Sequence, residues 1–154
     1  MPSKFSNVFD SLVTRLASLY SDKTIIPYPY SLADNPHQFL VNGYGLKIGS
    51  GSNSDLTTDY SSAVDRNISV VLTREVYGFT GIKTNLNTQI KALFDDMYDL
   101  KNDLLDLSRV SPMFNGEAIE YDNDSGIEEV ISGEQRFVSL EVFFSFDLTQ
   151  EINQ

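Results

Sequence analysis

The stretch DNDSGIEE, residues 122–129, gathers Asp122, Asp124, Glu128 and Glu129 around one glycine, a grouping that could hold a calcium ion. A helix–loop–helix calcium loop, however, needs glycine at its sixth position, which here is Ile127, and needs helices where the flanking residues read as strands. An acidic turn between two strands is the better account. His37 is the single histidine. It shares the turn SLADNPH with Ser31 and Asp34, but neighbours in a turn do not supply a nucleophile, base and orienting group in working geometry. The chain has no cysteine, which excludes disulfides, thiolate zinc sites and cysteine nucleophiles. It also lacks GxGxxG, GxxxxGKS/T and GxSxG, and its 22 acidic residues are too many for one pair to stand out as a glycosidase pair. Tyr28, Tyr30, Phe39 and Tyr44 could stack on a ligand, although aromatics in strands more often pack in a core. These residues point away from an enzyme and imply no cofactor and no resident metal.

The distribution of charge says more than its total of −11. Residues 1–94 carry eight basic and seven acidic side chains, residues 95–134 carry two and twelve, and residues 135–154 carry one and three. The excess therefore lies in one 40-residue stretch. With no cluster of Lys or Arg, a nucleic-acid binder is not expected. The ordinary account of the acidic stretch is a solvated face.

A chain of 154 residues fits one domain able to bury about 70% of its unfolded surface. No apolar run approaches the roughly 18 residues of a membrane span, and MPSKFSNVFDS lacks the apolar core of a signal peptide, so a soluble cytoplasmic protein is expected.

Spacing along the chain predicts the elements that must position these residues. Phe5, Val8, Phe9, Leu12, Leu16, Leu19 and Tyr20 recur at helical intervals over 6–20, with Ser6 or Asn7 as cap. TIIPYPY allows only short extended structure. Residues 38–48 read as a strand with a bulge or close approach at Gly43 and Gly45. GSGSNSDLTTDYSS, residues 49–62, reads as a long flexible loop. RNISVVLTREVY is a central strand by its alternation of Ile68, Val70, Leu72 and Val76. A second helix is expected near 87–107, where Ile90, Leu93, Met97, Leu100, Leu104 and Leu107 form one apolar stripe. Two short strands follow near 117–121 and 127–131. The chain closes on RFVSLEVFFSFDL, whose alternation buries Val138, Leu140, Val142, Phe144, Phe146 and Leu148, with the preceding strand as its partner.

The fold class is thus α+β, a mixed and mostly antiparallel sheet packed by two helices in the order α-β-β-β-α-β-β. In that order, and in the segments FSNVFDSLVTRLASL, RNISVVLTREVYG and EQRFVSLEVFFSFDLTQEI, the chain resembles the small tail terminator or tail completion proteins of long-tailed bacteriophages. Head-to-tail connector proteins of the neck share this style.

The resemblance implies a structural virion protein that forms a homo-oligomeric, hexameric ring on the tail tube, stops its growth and meets the neck or connector proteins of the head. DNA would pass through without specific binding, and no membrane is involved. Each subunit of such a ring needs two different contact patches. The loop at 49–62, with Ser50, Ser52, Asp55, Thr58 and Tyr60, is the first expected contact. Phe137 and Phe143, aromatic on the polar side of the last strand, are expected at the ring interface. Asp95, Asp96, Asp99, Asp103 and Asp106, opposite the apolar stripe of the second helix, are expected to line the channel as a wall that repels phosphate. The competing reading is a small cytosolic α+β ligand-binding protein or enzyme with a pocket in the Tyr-rich N-terminal third.

Overall fold

The computed structural model describes residues 4–26, 40–57, 61–77, 85–110, 119–132 and 135–151. The turn carrying Ser31, Asp34 and His37, together with Tyr28, Tyr30 and Phe39, lies outside these residues, as do Thr58 and Tyr60. Helix α1 (Lys4–Leu19) is followed by β1 (Thr24–Ile25), β2 (Asn42–Thr57), β3 (Ser61–Tyr77), α2 (Leu86–Val110), β4 (Ile119–Asp124), β5 (Glu128–Ser132) and β6 (Gln135–Glu151). One mixed sheet runs β1-β2-β3-β6-β4, with β5 also on β6. Among the described residues, only β1 on β2 is parallel. The α+β class and the α-β-β-β-α-β-β order are those the spacing implies.

The central pair is β3 with β6, antiparallel from Ser61↔Glu151 to Tyr77↔Arg136. The expected partner of β6, the strand before it, is present but short, from Glu128↔Ser139 to Ser132↔Gln135. Strands β4 and β5 do not form a hairpin with each other. Both pair with β6, and Ser125 N–H donates to the Glu141 carbonyl (2.9 Å) between them, so they act as one interrupted edge strand.

Alternation divides the sheet into two faces. Ile68, Val70, Leu72, Val138, Leu140, Val142 and Phe144 are buried on one face against Leu12 and Leu16 of α1 and Leu93, Leu100 and Leu104 of α2. Helix α1 starts before Ser6 and Asn7, which therefore sit inside it and not at its cap. In α2 the cap is Asn85, whose Oδ1 accepts from the N–H groups of Asn87 (2.9 Å) and Thr88 (3.3 Å).

The opposite face departs from the expectation of a polar, watery side. Ser69, Thr73, Glu75 and Ser139 are buried there, and Val71 and Phe137 join Ile26 and Leu40 in a second small core. The polar groups are matched by local partners: the Ser69 hydroxyl donates to Glu141 Oε2 (2.6 Å), and Thr73 Oγ1 accepts from Gly43 N–H (3.2 Å). Phe137 is completely buried against its own chain, so it is not a ring-interface residue. Period-2 patterning records which side of a strand is apolar, and cannot register a cover contributed from residues more than 90 positions away in the chain.

Residues 49–57 and 61–62 are likewise strand and not loop. Their glycine- and serine-rich composition suggested a loop, but a backbone ladder needs no particular side chains, and β3 supplies one through Gly51↔Arg66, Ser52↔Asp65, Asn53↔Val64 and Thr57↔Ser62. The register shifts fall between Ile48 and Gly51 and between Asn53 and Thr57, not at Gly43 or Gly45. At Gly49 a Cβ would come within 3.1 Å of the Asn67 carbonyl oxygen, a tight approach between the two strands.

Because Phe137 fills a pocket of its own subunit, Phe137→Ala should destabilise the dilute chain by about 3–5 kcal/mol in chemical denaturation, and half-buried Phe143→Ala by clearly less. An unchanged denaturation midpoint for Phe137→Ala would restore it to an interface.

Candidate functional site

Helix α2 carries the five aspartates expected to face a channel, and at about 100° per residue they spread over roughly a quarter of the helix circumference. Asp95, Asp106 and Asp99 fall in the half of that arc away from the buried stripe, while Asp103 and Asp96 fall at its other end, beside the stripe. That position decides their use. Asp96 accepts from Lys23 Nζ (2.8 Å) and from Arg74 through Nε and Nη2 (3.0–3.2 Å). Asp103 accepts from Arg15 Nε on α1 (2.9 Å). Both carboxylates are therefore bound by cations of their own subunit. Asp95 and Asp99 are exposed, whereas for Asp106 the structure gives only its place in α2.

The Asp96 group is a built cluster. The Lys23, Asp96 and Arg74 side chains are 1%, 13% and 22% exposed, and Lys23 also donates to Asn42 Oδ1. The Tyr20 hydroxyl donates to the Asp96 backbone carbonyl (2.8 Å), and the Tyr20 ring packs 5.3 Å from that of Tyr44. The end of α1, the start of β2, the end of β3 and the middle of α2 thus meet at one charged knot. Burial lowers the pKa of the Lys23 ammonium below its ordinary 10.5, an effect partly offset by the hydrogen bond and charge of Asp96. Burial also raises the Tyr20 phenol far above 10.0, with the carboxylates of Asp96, Asp99, Asp103 and Asp22 adding to it. Each group is satisfied by a neighbour within the fold, so the cluster holds these elements together.

On the opposite sheet face, Lys47, Ser69, Phe143 and Asn123 stand in one row across β2, β3, β6 and β4. They line a cleft of about 340 Å³ with Asn67, Asp122 and Glu141. Phe143 is half-buried in it, the one expected interface aromatic that remains accessible. Ser69 is buried and its hydroxyl donates to Glu141, so these two polar groups satisfy each other within the sheet. The acidic turn has an internal account as well. Asp124 accepts from Gly126 N–H (2.8 Å) and from the Tyr121 hydroxyl (2.8 Å), and Gly126 takes the positive φ of 72° that the turn requires.

The third surface is the end of the sheet. The described core reaches Ile48, Ile68, Ile119 and Phe144. Beyond it β2, β3 and β6 continue as a three-stranded arm: Gly51–Thr57, Ser61–Asp65 and Asp147–Glu151. The four steps of β3 from Asp65 to Ser61 give it a length of about 13 Å. Ser50, Ser52 and Asp55 belong to β2, the first two leading into the arm and Asp55 within it. Among the described residues, the arm has β2 on one edge and β6 on the other, each paired on one side only.

No protein-family model matches this chain, and no curated protein matches it significantly. Among the described residues, no helix is long and apolar enough to cross a membrane. Sequence reasoning missed Lys23, Arg74 and Arg15 as partners of the aspartates. No local signal could have found them, because they lie 22 to 88 residues away from the carboxylates they hold.

Two outcomes follow from the knot. Asp96→Asn leaves buried Lys23 without its anion and should cost about 3–5 kcal/mol of stability, against about 0.5 kcal/mol or less for exposed Asp99→Asn; equal denaturation midpoints for the two variants would contradict the assignment. The second concerns alkali. Above pH 10 the unfolded chain ionises Tyr20 while the folded chain keeps its proton, so stability from this group is complete below pH 10 and lost as pH rises beyond it. Lys23 acts oppositely, its contribution rising with pH until 10.5, where the unfolded chain also gives up the proton. Tyr20→Phe should therefore flatten the alkaline loss of stability in a pH series of melting curves, at the expense of about 1 kcal/mol at neutral pH for the lost hydrogen bond.

Proposed function

We propose that this chain is a structural assembly protein of a long-tailed phage virion. Six copies form a ring that caps the tail tube and joins it to the head or neck, with no reaction and no cofactor. The observation that carries this reading is the arm, a polar three-stranded ribbon overrunning the core with, among the described residues, an open strand edge on either side. A protein that works alone covers or shortens its edges. Two different edges on one subunit are what head-to-tail association uses, and such association closes into a ring when the rotation allows.

Charge supports the same reading in a narrower form than five channel-facing aspartates. Asp96 and Asp103 are neutralised by Lys23, Arg74 and Arg15, which accounts for part of the acidic excess of residues 95–134. Exposed Asp95 and Asp99 remain on α2, with Glu120, Asp122, Glu128 and Glu129 exposed on the β4–β5 edge. In a ring of six these repeat around the axis. A wall of that sign would let DNA slide without gripping its phosphates.

The direct test is to add the purified chain to tail tubes that lack their terminal ring and to image them by negative stain. Rings seated at one tube end, with tube growth arrested, are the expected outcome. Binding to the portal vertex of filled heads instead would reassign the chain to the neck, and a monomer indifferent to tubes and heads but stabilised by a small metabolite would overturn the reading.

A further inference from the structure

On each edge of the arm alternate residues turn their N–H and C=O outward, and one hydrogen bond on each side fixes the phase. Ile26 N–H donates to the Tyr44 carbonyl (2.7 Å), so the Tyr44 backbone turns away from β3. Opposite it stands Leu72, and the two-residue period along β3 passes through Val70, Ile68, Arg66 and Val64. Their β2 partners Leu46, Ile48, Gly51 and Asn53 therefore also direct N–H and C=O outward. On the other edge, Ser125 N–H donates to the Glu141 carbonyl, so Glu141 turns away from β3. The same period makes Asp147, Thr149 and Glu151 the outward positions of β6, beyond its last pairing with β4 at Phe146.

The edges also match in level and direction. Ser52, Asp65 and Asp147 lie in one row, and Asn53, Val64 and Leu148 in the next. Both β2 and β6 are antiparallel to β3, so they run the same way. A neighbouring copy related by rotation keeps that direction and can bring its β2 edge beside β6 without sliding along the strand.

We propose that copies of this chain join through the arm, the β6 edge of one adding in parallel to the β2 edge of the next, so that a single sheet runs from subunit to subunit. This rests on the assembly reading above and names its contact. A symmetric alternative is disfavoured. Two β6 edges paired antiparallel about Thr149 would set Asp147 in register with Glu151, like charges in opposed positions, and two paired β2 edges would leave every β6 edge open. A ladder of this length is smaller than the roughly 1,200–2,000 Å² that a stable pair buries. Ring closure and the tube end supply the remainder, so the contact forms in the assembled state.

The chain lacks cysteine, which makes the test clean. Neighbouring strands lie about 4.8 Å apart, within disulfide reach, so Ser52→Cys and Asp147→Cys chains mixed on tail tubes and oxidised should cross-link to each other. The double variant should form a ladder of oligomers ending at the ring number. Rings that give only Ser52→Cys or only Asp147→Cys homodimers, or no cross-link, would overturn this contact and leave the assembly reading standing. Absence of rings on tubes would overturn both. Asn53→Pro supplies a second readout, since it removes an outward donor and spares the β2–β3 ladder. It should weaken each contact about tenfold with an unchanged monomer melting curve, and ring formation equal to the parent would count against the proposal.

Discussion

The pairing of β3 with β6, unbroken from the core to the tip of the arm except for one irregularity near Glu75, is the constraint on which the rest of the structure depends. These two strands lie far apart in sequence, so their alignment closes a long loop and must be repaid by burial along the whole contact. Val70, Leu72, Leu140 and Val142 supply that burial on the helix face. Once the pair is in place, β2 adds to one side and the interrupted β4–β5 edge to the other. Both helices then pack on the larger apolar face of the sheet. The same pairing extends past the apolar residues and so creates the arm, where backbone hydrogen bonds persist after the core has ended.

Charge works within this frame as a locator more than as a field. The Asp96 knot joins four elements at a place where three charged side chains are mostly shielded from water. Desolvating them is expensive, and only mutual pairing with good geometry makes it tolerable. A single arrangement of α1, β2, β3 and α2 satisfies Lys23, Asp96, Arg74 and Asn42 together. By contrast, the more exposed Arg15–Asp103 pair contributes at most about 1 kcal/mol. The acidic surface left to meet other molecules is thereby smaller than composition alone suggests.

Legibility in the sequence followed the locality of the physics. The stripe Leu93, Leu100 and Leu104 and the alternation from Val138 to Phe144 announced their elements, because amphipathic periodicity is a local property that burial then uses. Phe143 could be picked out as an aromatic on a polar strand face and does line a cleft. Phe137 obeyed the same rule and lies buried, since Ile26 and Leu40 close over it. The strands at 51–57 were hidden by loop-like composition, because a ladder formed by backbone atoms leaves no mark on side-chain choice.

By itself, then, the sequence determined the class of the fold, the order of its elements, and the apolar face of each helix and of the central strands. Tertiary structure alone decided which aspartates are bound and which are free, which aromatic is core and which is surface, and where the sheet ends in open edges. The reason is that periodicity and composition are properties of neighbouring residues, whereas ion pairing, cover and strand edges are set by partners that only folding brings within a few ångströms.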